Sequence, residues 1–288
     1  MNKIALGSAQ FGMNYGIKNS SKVPTNEEIK KILDLSKLKK IDLIDTAMEY
    51  GSSEKKIGDN DNYNFKVITK LPSLDEKTKN LDKWIKEKVD LSLKNLKRST
   101  LYGLLFHDPN MLLGSEGNQI YETVNDLKKD GIIEKIGLSI YSPSSLDFLV
   151  PKYKIDIVQA PFNLIDRRLL HSGWLKKLDN LGIEVHARSI FLQGLLLTPC
   201  KEIPKKFEKW TYLFKKLEEW ANQNKIELLE ACVLYVSSFK MFKKIIIGID
   251  NIAQLDEILN ISTKSSLSKY PNLSCNDEAL IDPSKWER

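Results

Sequence analysis

Short apolar, β-branched runs alternate with longer amphipathic stretches along the whole chain. The runs fall at 3–6, 41–44, 65–69, 101–106, 133–138, 155–159, 183–187 and 244–247, and predict eight strands. Between them, 25–39 opens on Thr-Asn-Glu-Glu, a capping pattern, then sets Ile29, Ile32, Leu33, Leu35 and Leu38 at helical spacing. The stretch 81–96 carries Trp84, Ile85, Val89, Leu91, Leu93 and Leu96 in the same way. The stretch 116–130 runs into Gly131, a helix stop. Further helices are predicted at 143–150, 166–181, 205–224, 227–239 and 251–261.

Strict alternation of strand and helix implies a parallel sheet with right-handed crossovers. Eight strands in 288 residues fit an α/β fold of one domain, a closed (β/α)8 TIM barrel, better than an open sheet. An open dinucleotide-binding sheet carries Gly-x-Gly-x-x-Gly after its first strand. Here that strand leads into Gly7-Ser8-Ala9-Gln10-Phe11-Gly12, which does not fit. No linker or low-complexity tract divides the chain. The polar stretch 264–288, with Trp286 near its end, is expected to pack back on the barrel as a tail.

Composition narrows the function classes. The hydrophobic and charged fractions, 42% and 28%, are those of an ordinary globular protein. No run of about 18 apolar residues exists, so no membrane span is expected. The first residues lack a secretory apolar core. Cys200, Cys232 and Cys275 have no metal-type spacing and read as free thiols in a reducing cytoplasm. The net charge of +6 is spread along helical segments beside Glu and Asp, which suits a solvated surface with a mild preference for anionic ligands. No nucleic-acid motif and no metal site are expected.

In a barrel the C-terminal strand ends form the active-site face. The stretch 41–54 is an apolar strand stopping on Asp45, then a turn, then Tyr50, then Gly51 leading into a helix. Asp is depleted in strands, so Asp45 either caps the turn or has a charged partner. The third strand ends at Lys70 and the fourth at His107. Alone, a strand-end lysine commonly faces solvent and a lone histidine is commonly structural. Four such residues on one rim, from three consecutive strands, point to a site. A buried lysine needs a carboxylate, which Asp45 supplies. A charged Lys70 about 4 Å from the Tyr50 hydroxyl would favour phenolate by roughly 4 kcal/mol at an effective dielectric near 20, less what Asp45 offsets. That would move a tyrosine from about 10 towards about 7. Such a tyrosine donates a proton to a carbonyl oxygen, and His107 orients the same oxygen. The set supplies no electrons and therefore needs a hydride donor.

The stretch Asp45-Thr46-Ala47-x-x-Tyr50-Gly51, with Lys70 and His107 on the next two strand ends, resembles the aldo-keto reductase family. The resemblance covers nearly the whole chain. It implies Tyr50 as general acid, Asp45 and Lys70 as the residues that tune it, and His107 as the residue that orients the substrate. It also implies a nicotinamide cofactor, with NADP(H) favoured by family habit and NAD(H) as the alternative. The cofactor residues it implies begin with Gly7 and Ser8. Ser139 and Gln159 would hold the carboxamide, with Ile140 where the family has Asn. Arg188 stands where many members stack a tyrosine on the nicotinamide, a role a planar guanidinium can take. Ser189, Gly194 and Leu195 belong to the loop that wraps the pyrophosphate. Gly248, Asn251, Gln254 and Glu257 form the adenosine end. Gln254 replaces the arginine that often grips the 2′-phosphate, and Asp250 adds negative charge beside it.

Phe11, Tyr15, Met48, Tyr141 and Phe191 fall on the rim loops and are expected to line the substrate pocket. The expected function is NAD(P)H-dependent reduction of a small-molecule aldehyde or ketone, of sugar type, in the cytoplasm. The alternative is a nicotinamide-nucleotide-sensing module of the same fold with little turnover. A third class, a lyase or isomerase using the cofactor transiently, would leave nicotinamide absorbance unchanged. The oligomeric state is not legible.

Overall fold

The alternation of elements closes on itself. A computed structural model describes residues 3–17, 23–74, 78–265, 267 and 269–286. Its eight parallel strands pair in chain order, and the first pairs with the last to close the barrel. They are β1 (Ile4–Gly7), β2 (Leu43–Asp45), β3 (Lys66–Leu71), β4 (Leu101–Phe106), β5 (Ile133–Ser139), β6 (Ile157–Pro161), β7 (Glu184–Arg188) and β8 (Phe242–Gly248). All but β4 end a residue or two beyond the apolar run that marks them. Polar residues extend the ladder because their neighbours hold them in register: Gly7 lies opposite Asp45 and Gly248, Lys70 opposite Leu105, and Ser139 opposite Gln159. Hydrophobicity stops before the hydrogen bonding does.

Side chains alternate between the two faces of a strand. Ala5, Leu43, Ile68, Leu105, Ile157 and Ile246 form a buried cluster of their own, apart from the larger core between sheet and helices. It fills the inside of the barrel. Gly137 completes that layer because nothing larger fits: a Cβ there would lie 2.3 Å from the Leu105 side chain. Two residues further along each strand, on the same face, stand Gly7, Asp45, Lys70, His107, Ser139, Gln159, Arg188 and Gly248. Each strand thus delivers one candidate site residue to one ring at the C-terminal mouth.

Outside, the helices Asn26–Leu38, Leu81–Leu96, Gly117–Lys129, Leu228–Ser237 and Ile252–Ser262 lie where the periodicity predicts them. Thr25 and Glu28 cap the first of these reciprocally: each side chain accepts from the other's backbone N–H, at 3.3 and 2.7 Å. Thr25→Ala is expected to cost about 1 kcal/mol, read as a lower urea midpoint with an unchanged slope.

Three predicted helices divide. The stretch 166–181 breaks into Arg168–His171 and Trp174–Asn180 at Gly173, whose φ of 76° is left-handed. A 3-10 turn, Pro143–Ser145, precedes the helix Leu146–Lys152. Another, Lys205–Trp210, precedes Thr211–Gln223. Within 264–288, Leu273, Leu280 and Ile281 are buried, and the Trp286 ring lies 4.8 Å from that of Phe207. No helix among the described residues is long and apolar enough to cross a membrane.

Candidate active site

Asp45 and Lys70 end adjacent strands and meet inside the rim. Lys70 Nζ is 2.7 Å from Asp45 Oδ2 and donates to the Thr46 carbonyl at 2.8 Å. Asp45 Oδ1 accepts from Gln159 Nε2 at 2.7 Å. The lysine side chain is only 1% exposed and the aspartate 5%, so each charge depends on the other. Above them, Lys70 Nζ lies 5.1 Å from the centre of the Tyr50 ring. Tyr50 meets His107 edge to face, with ring centres 5.9 Å apart.

Two glycines place the tyrosine. Gly51 turns the chain with a φ of 56°, and Gly12 packs against that turn so closely that a Cβ would fall 1.8 Å from the Tyr50 carbonyl oxygen. The loop after β1 and the loop after β2 therefore share one wall.

Charges in the site follow burial. Burial pushes the Lys70 ammonium below its ordinary pKa, and Asp45 pulls it back up in part. Burial and then Asp45 push the Tyr50 phenol above its ordinary value, with the Arg188 cation offsetting some of this. The expected phenol near 7 is therefore overturned, because Lys70 directs its charge to Asp45 and the Thr46 carbonyl. Tyr50 holds its proton across the neutral range. Burial, then Lys70 and Arg188, lower the His107 imidazole to about 3, leaving it neutral. Its Nδ1 lies 2.8 Å from Glu49 Oε2 but off the line of a hydrogen bond. The Glu49 side chain is 53% exposed, so water screens the help it gives an imidazolium.

The candidate cofactor residues divide into those with a surface to offer and those without. Gln159 keeps its Oε1 buried and without a partner, an acceptor waiting for an N–H donor. Arg188 lies with its guanidinium carbon 4.5 Å from the centre of the Tyr141 ring and donates to the Ile140 carbonyl at 3.0 Å, while its Nε is buried without a partner. Ile140 itself is 1% exposed and offers no side-chain hydrogen bond.

The loop after β7 places Ser189, Leu192, Gln193 and Gly194 in left-handed backbone, a curled segment suited to wrapping a ligand. Asn163 holds it in place by donating to the Ser189 carbonyl at 3.1 Å. Ser8 is a correction: fully buried, it donates its hydroxyl to the Asp45 carbonyl at 2.9 Å and accepts from Ser53 at 2.8 Å, leaving no group for a cofactor. The Leu195 side chain is also wholly buried. Asn251 caps the helix Ile252–Ser262, accepting from the Gln254 N–H at 3.0 Å. Gln254 folds back on Asp250, accepting from its N–H at 2.9 Å, and Glu257 is exposed.

On the rim, Phe11 is a second correction. It is fully buried in the core from the one-turn helix Ala9–Gly12 and shows nothing to a substrate. Tyr15 keeps 36% of its surface open, yet its phenol is enclosed enough for burial, then Tyr50, to push it up to about 12. Met48 and Phe191 are half-buried against the core. Tyr141 stands at the edge of a cavity of about 390 Å³ with Glu49, Ser73, His107 and Asp108. A hollow of about 430 Å³ lies at the other end of the barrel, among the starts of β5, β6 and β7, far from these groups. Sequence reasoning missed Glu49, Ser73, Asp108 and Gln10, whose amide covers Gly248. The first and third of these adjoin Tyr50 and His107 in the chain, the one signal that marked them.

Comparison with known proteins decides the family. The aldo/keto reductase family model matches residues 3–275. This chain belongs to the aldo/keto reductase family. A curated relative of this aldo/keto reductase, the uncharacterized oxidoreductase YqkF of Bacillus subtilis (strain 168), is 27% identical over 195 residues. That match covers 65% of this chain and 62% of the relative. Among solved structures, aldo-keto reductase AKR11C1 from Bacillus halodurans, in its holo form, superposes with a TM-score of 0.74 at 17% identity, covering 92% of this chain and 88% of that one. Glycerol dehydrogenase AKR11B4 from Gluconobacter oxydans gives 0.71 at 22%, covering 93% and 88%. At these identities the structures share the fold.

Proposed function

We propose that this aldo/keto reductase is a nicotinamide-dependent carbonyl oxidoreductase in which Tyr50 supplies the proton. The observation that carries the reading is the buried Lys70–Asp45 pair beneath the Tyr50 ring, with Nζ 5.1 Å from the ring centre. The orphaned Gln159 Oε1 fits a carboxamide N–H2, and Ser139 beside it in register is the second candidate. Arg188 offers a flat guanidinium, and the helix starting after Asn251 offers the backbone N–H groups that favour phosphate. When bound, a reduced nicotinamide supplies a hydride for the carbonyl carbon.

Tyr50 gives its proton to the carbonyl oxygen as that oxygen gains charge, and water restores the proton afterwards. A phenol above its ordinary pKa is protonated at the start of the step, as a general acid must be. His107, neutral, orients the oxygen by hydrogen bonding. Lys70 holds positive charge beneath the phenolate that forms, so the site is complementary to the product of proton transfer more than to the resting phenol.

Family habit favours NADP(H). The Gln254–Asp250 pair stands in place of a phosphate-gripping arginine and opens the site to NAD(H). Titration of tryptophan fluorescence with NADPH and NADH separately, then loss of nicotinamide absorbance with a panel of aldehydes, tests the proposal. Tight binding with no turnover across the panel would favour a sensing module. Binding of neither would remove the oxidoreductase reading. Gln254→Arg is expected to raise the affinity for NADPH relative to NADH by about tenfold, the scale of one charge-assisted fork.

A further inference from the structure

We propose that Arg188 makes this site select the redox form of its cofactor, holding the reduced nicotinamide in preference to the oxidised one and so favouring reduction. The proposal rests on the carbonyl-oxidoreductase reading and adds its direction. Arg188 ends β7 and stands in the ring of strand-end residues at the barrel mouth. On the adjacent strand β6, Gln159 lies opposite His186 and Pro161 opposite Arg188. Gln159 Oε1 and Arg188 Nε are both buried without a hydrogen-bond partner. An orphaned acceptor and an orphaned donor on neighbouring strands mark the place that a carboxamide-bearing ring would take.

The groups that hold Arg188 are neutral. Nη2 donates to the Ile140 carbonyl at 3.0 Å and Nη1 to the Ser189 hydroxyl at 3.1 Å, and the guanidinium carbon lies 4.5 Å from the centre of the Tyr141 ring. None of these partners is a carboxylate. By contrast, Arg168, which donates to the Tyr141 carbonyl at 2.8 Å, is paired with Asp166 at 2.9 Å. Lys70, the other cation of the ring, is paired with Asp45 at 2.7 Å. The Arg188 charge reaches the reacting groups. It offsets part of the rise that burial and Asp45 impose on the Tyr50 phenol, and after burial and Lys70 it adds to the lowering of His107.

A reduced nicotinamide ring is neutral, and the oxidised ring carries one positive charge. In the reaction the hydride bonds to the carbonyl carbon, the Tyr50 proton goes to the oxygen, and the positive charge is left on the ring. A guanidinium packs on a neutral ring without penalty but repels a cationic one. An aromatic side chain in the same place would do the reverse, because its face attracts a cation. Arg188 is half-buried, so water screens only part of the repulsion. A catalyst leaves the overall equilibrium untouched. What changes is the enzyme: the oxidised cofactor leaves more readily, product inhibition is relieved, and alcohol oxidation needs more oxidised cofactor to proceed.

Isothermal titration calorimetry, which reads both redox forms alike, gives Kd for NADPH, NADP+, NADH and NAD+ with wild type, Arg188→Met, Arg188→Gln and Arg188→Lys. Circular dichroism checks that each variant folds. The quantity compared is Kd for the oxidised form divided by Kd for the reduced form. Taken within each variant, it cancels any general loss of cofactor affinity, and it needs no substrate.

Wild type is expected to hold the reduced form at least about tenfold more tightly. Arg188→Met and Arg188→Gln are expected to lower that ratio by about tenfold, which is a fall of about 30 mV in the midpoint potential of the bound cofactor. Arg188→Lys keeps the charge and is expected to keep most of the ratio. A wild-type preference for the oxidised form, a ratio unmoved by both neutral variants, or an equal fall in Arg188→Lys would overturn the redox selection while leaving the oxidoreductase reading intact. Binding of none of the four nucleotides to wild type would overturn that reading and the selection with it.

Discussion

Tyr50→Phe is expected to lower turnover by at least about 10²-fold while shifting nicotinamide affinity by less than about threefold. The substitution removes one oxygen and keeps the ring. The ring holds its edge-to-face contact with His107 and its place over Lys70, so packing survives and only the proton source is lost. The groups proposed to hold the cofactor, Gln159 and Arg188 among them, lie on β6 and β7 and do not depend on the phenol. Single-turnover absorbance reports the chemical step, and a fluorescence titration reports binding. A Phe variant that retained full turnover would assign the proton to another group. His107, lowered to about 3, is a poor candidate because it is not an imidazolium at neutral pH, and its remaining N–H is far too weak an acid to give up.

The site residues are legible in the sequence as strand ends, and the two-residue period of a strand explains why they share one face. Asp45, Lys70, Gln159 and Gly248 each follow an interior apolar residue by two positions, so the strand that buries Leu43, Ile68, Ile157 or Ile246 also aims the site residue. That rule places six of the eight ring residues without any knowledge of chemistry, while Ser139 follows Gly137 and Arg188 follows His186. It says nothing of turns. Glu49 and Asp108 sit just past strand ends, where no period fixes which way a side chain faces, and only the folded loops bring them to one cavity. The burial of Phe11 and Ser8 is hidden from the sequence for the same reason: four residues of helix are too short to show a buried face, and nothing local reveals that Ser53 reaches Ser8 from the next loop. The magnitude assigned to Lys70 failed differently. A pairwise Coulomb estimate treats the lysine as a free charge, whereas burial makes Asp45 its obligatory partner and leaves desolvation to govern the phenol.

The pair beneath the tyrosine yields the largest expected stability effect. Asp45→Asn should destabilise the fold by about 3–5 kcal/mol, because it leaves the buried Lys70 ammonium with neutral acceptors only, the Thr46 carbonyl and the new amide, and no counter-charge. Lys70→Met should cost a similar amount, since Asp45 would keep its charge with only Gln159 donating to it. Combining the two removes both charges and leaves a neutral, nearly isosteric interior. The double variant should then be more stable than the sum of the single losses predicts by about 1–3 kcal/mol, and it should be inactive. Urea midpoints at constant slope measure all three. Single losses below about 1 kcal/mol, or strict additivity, would mean that water reaches the pair and that it is not the buried couple its geometry describes. The cost is informative about function. On the proposed function, a buried ion pair placed directly under Tyr50 answers to the charge that would pass through the tyrosine during proton transfer, a role that a neutral interior could not take.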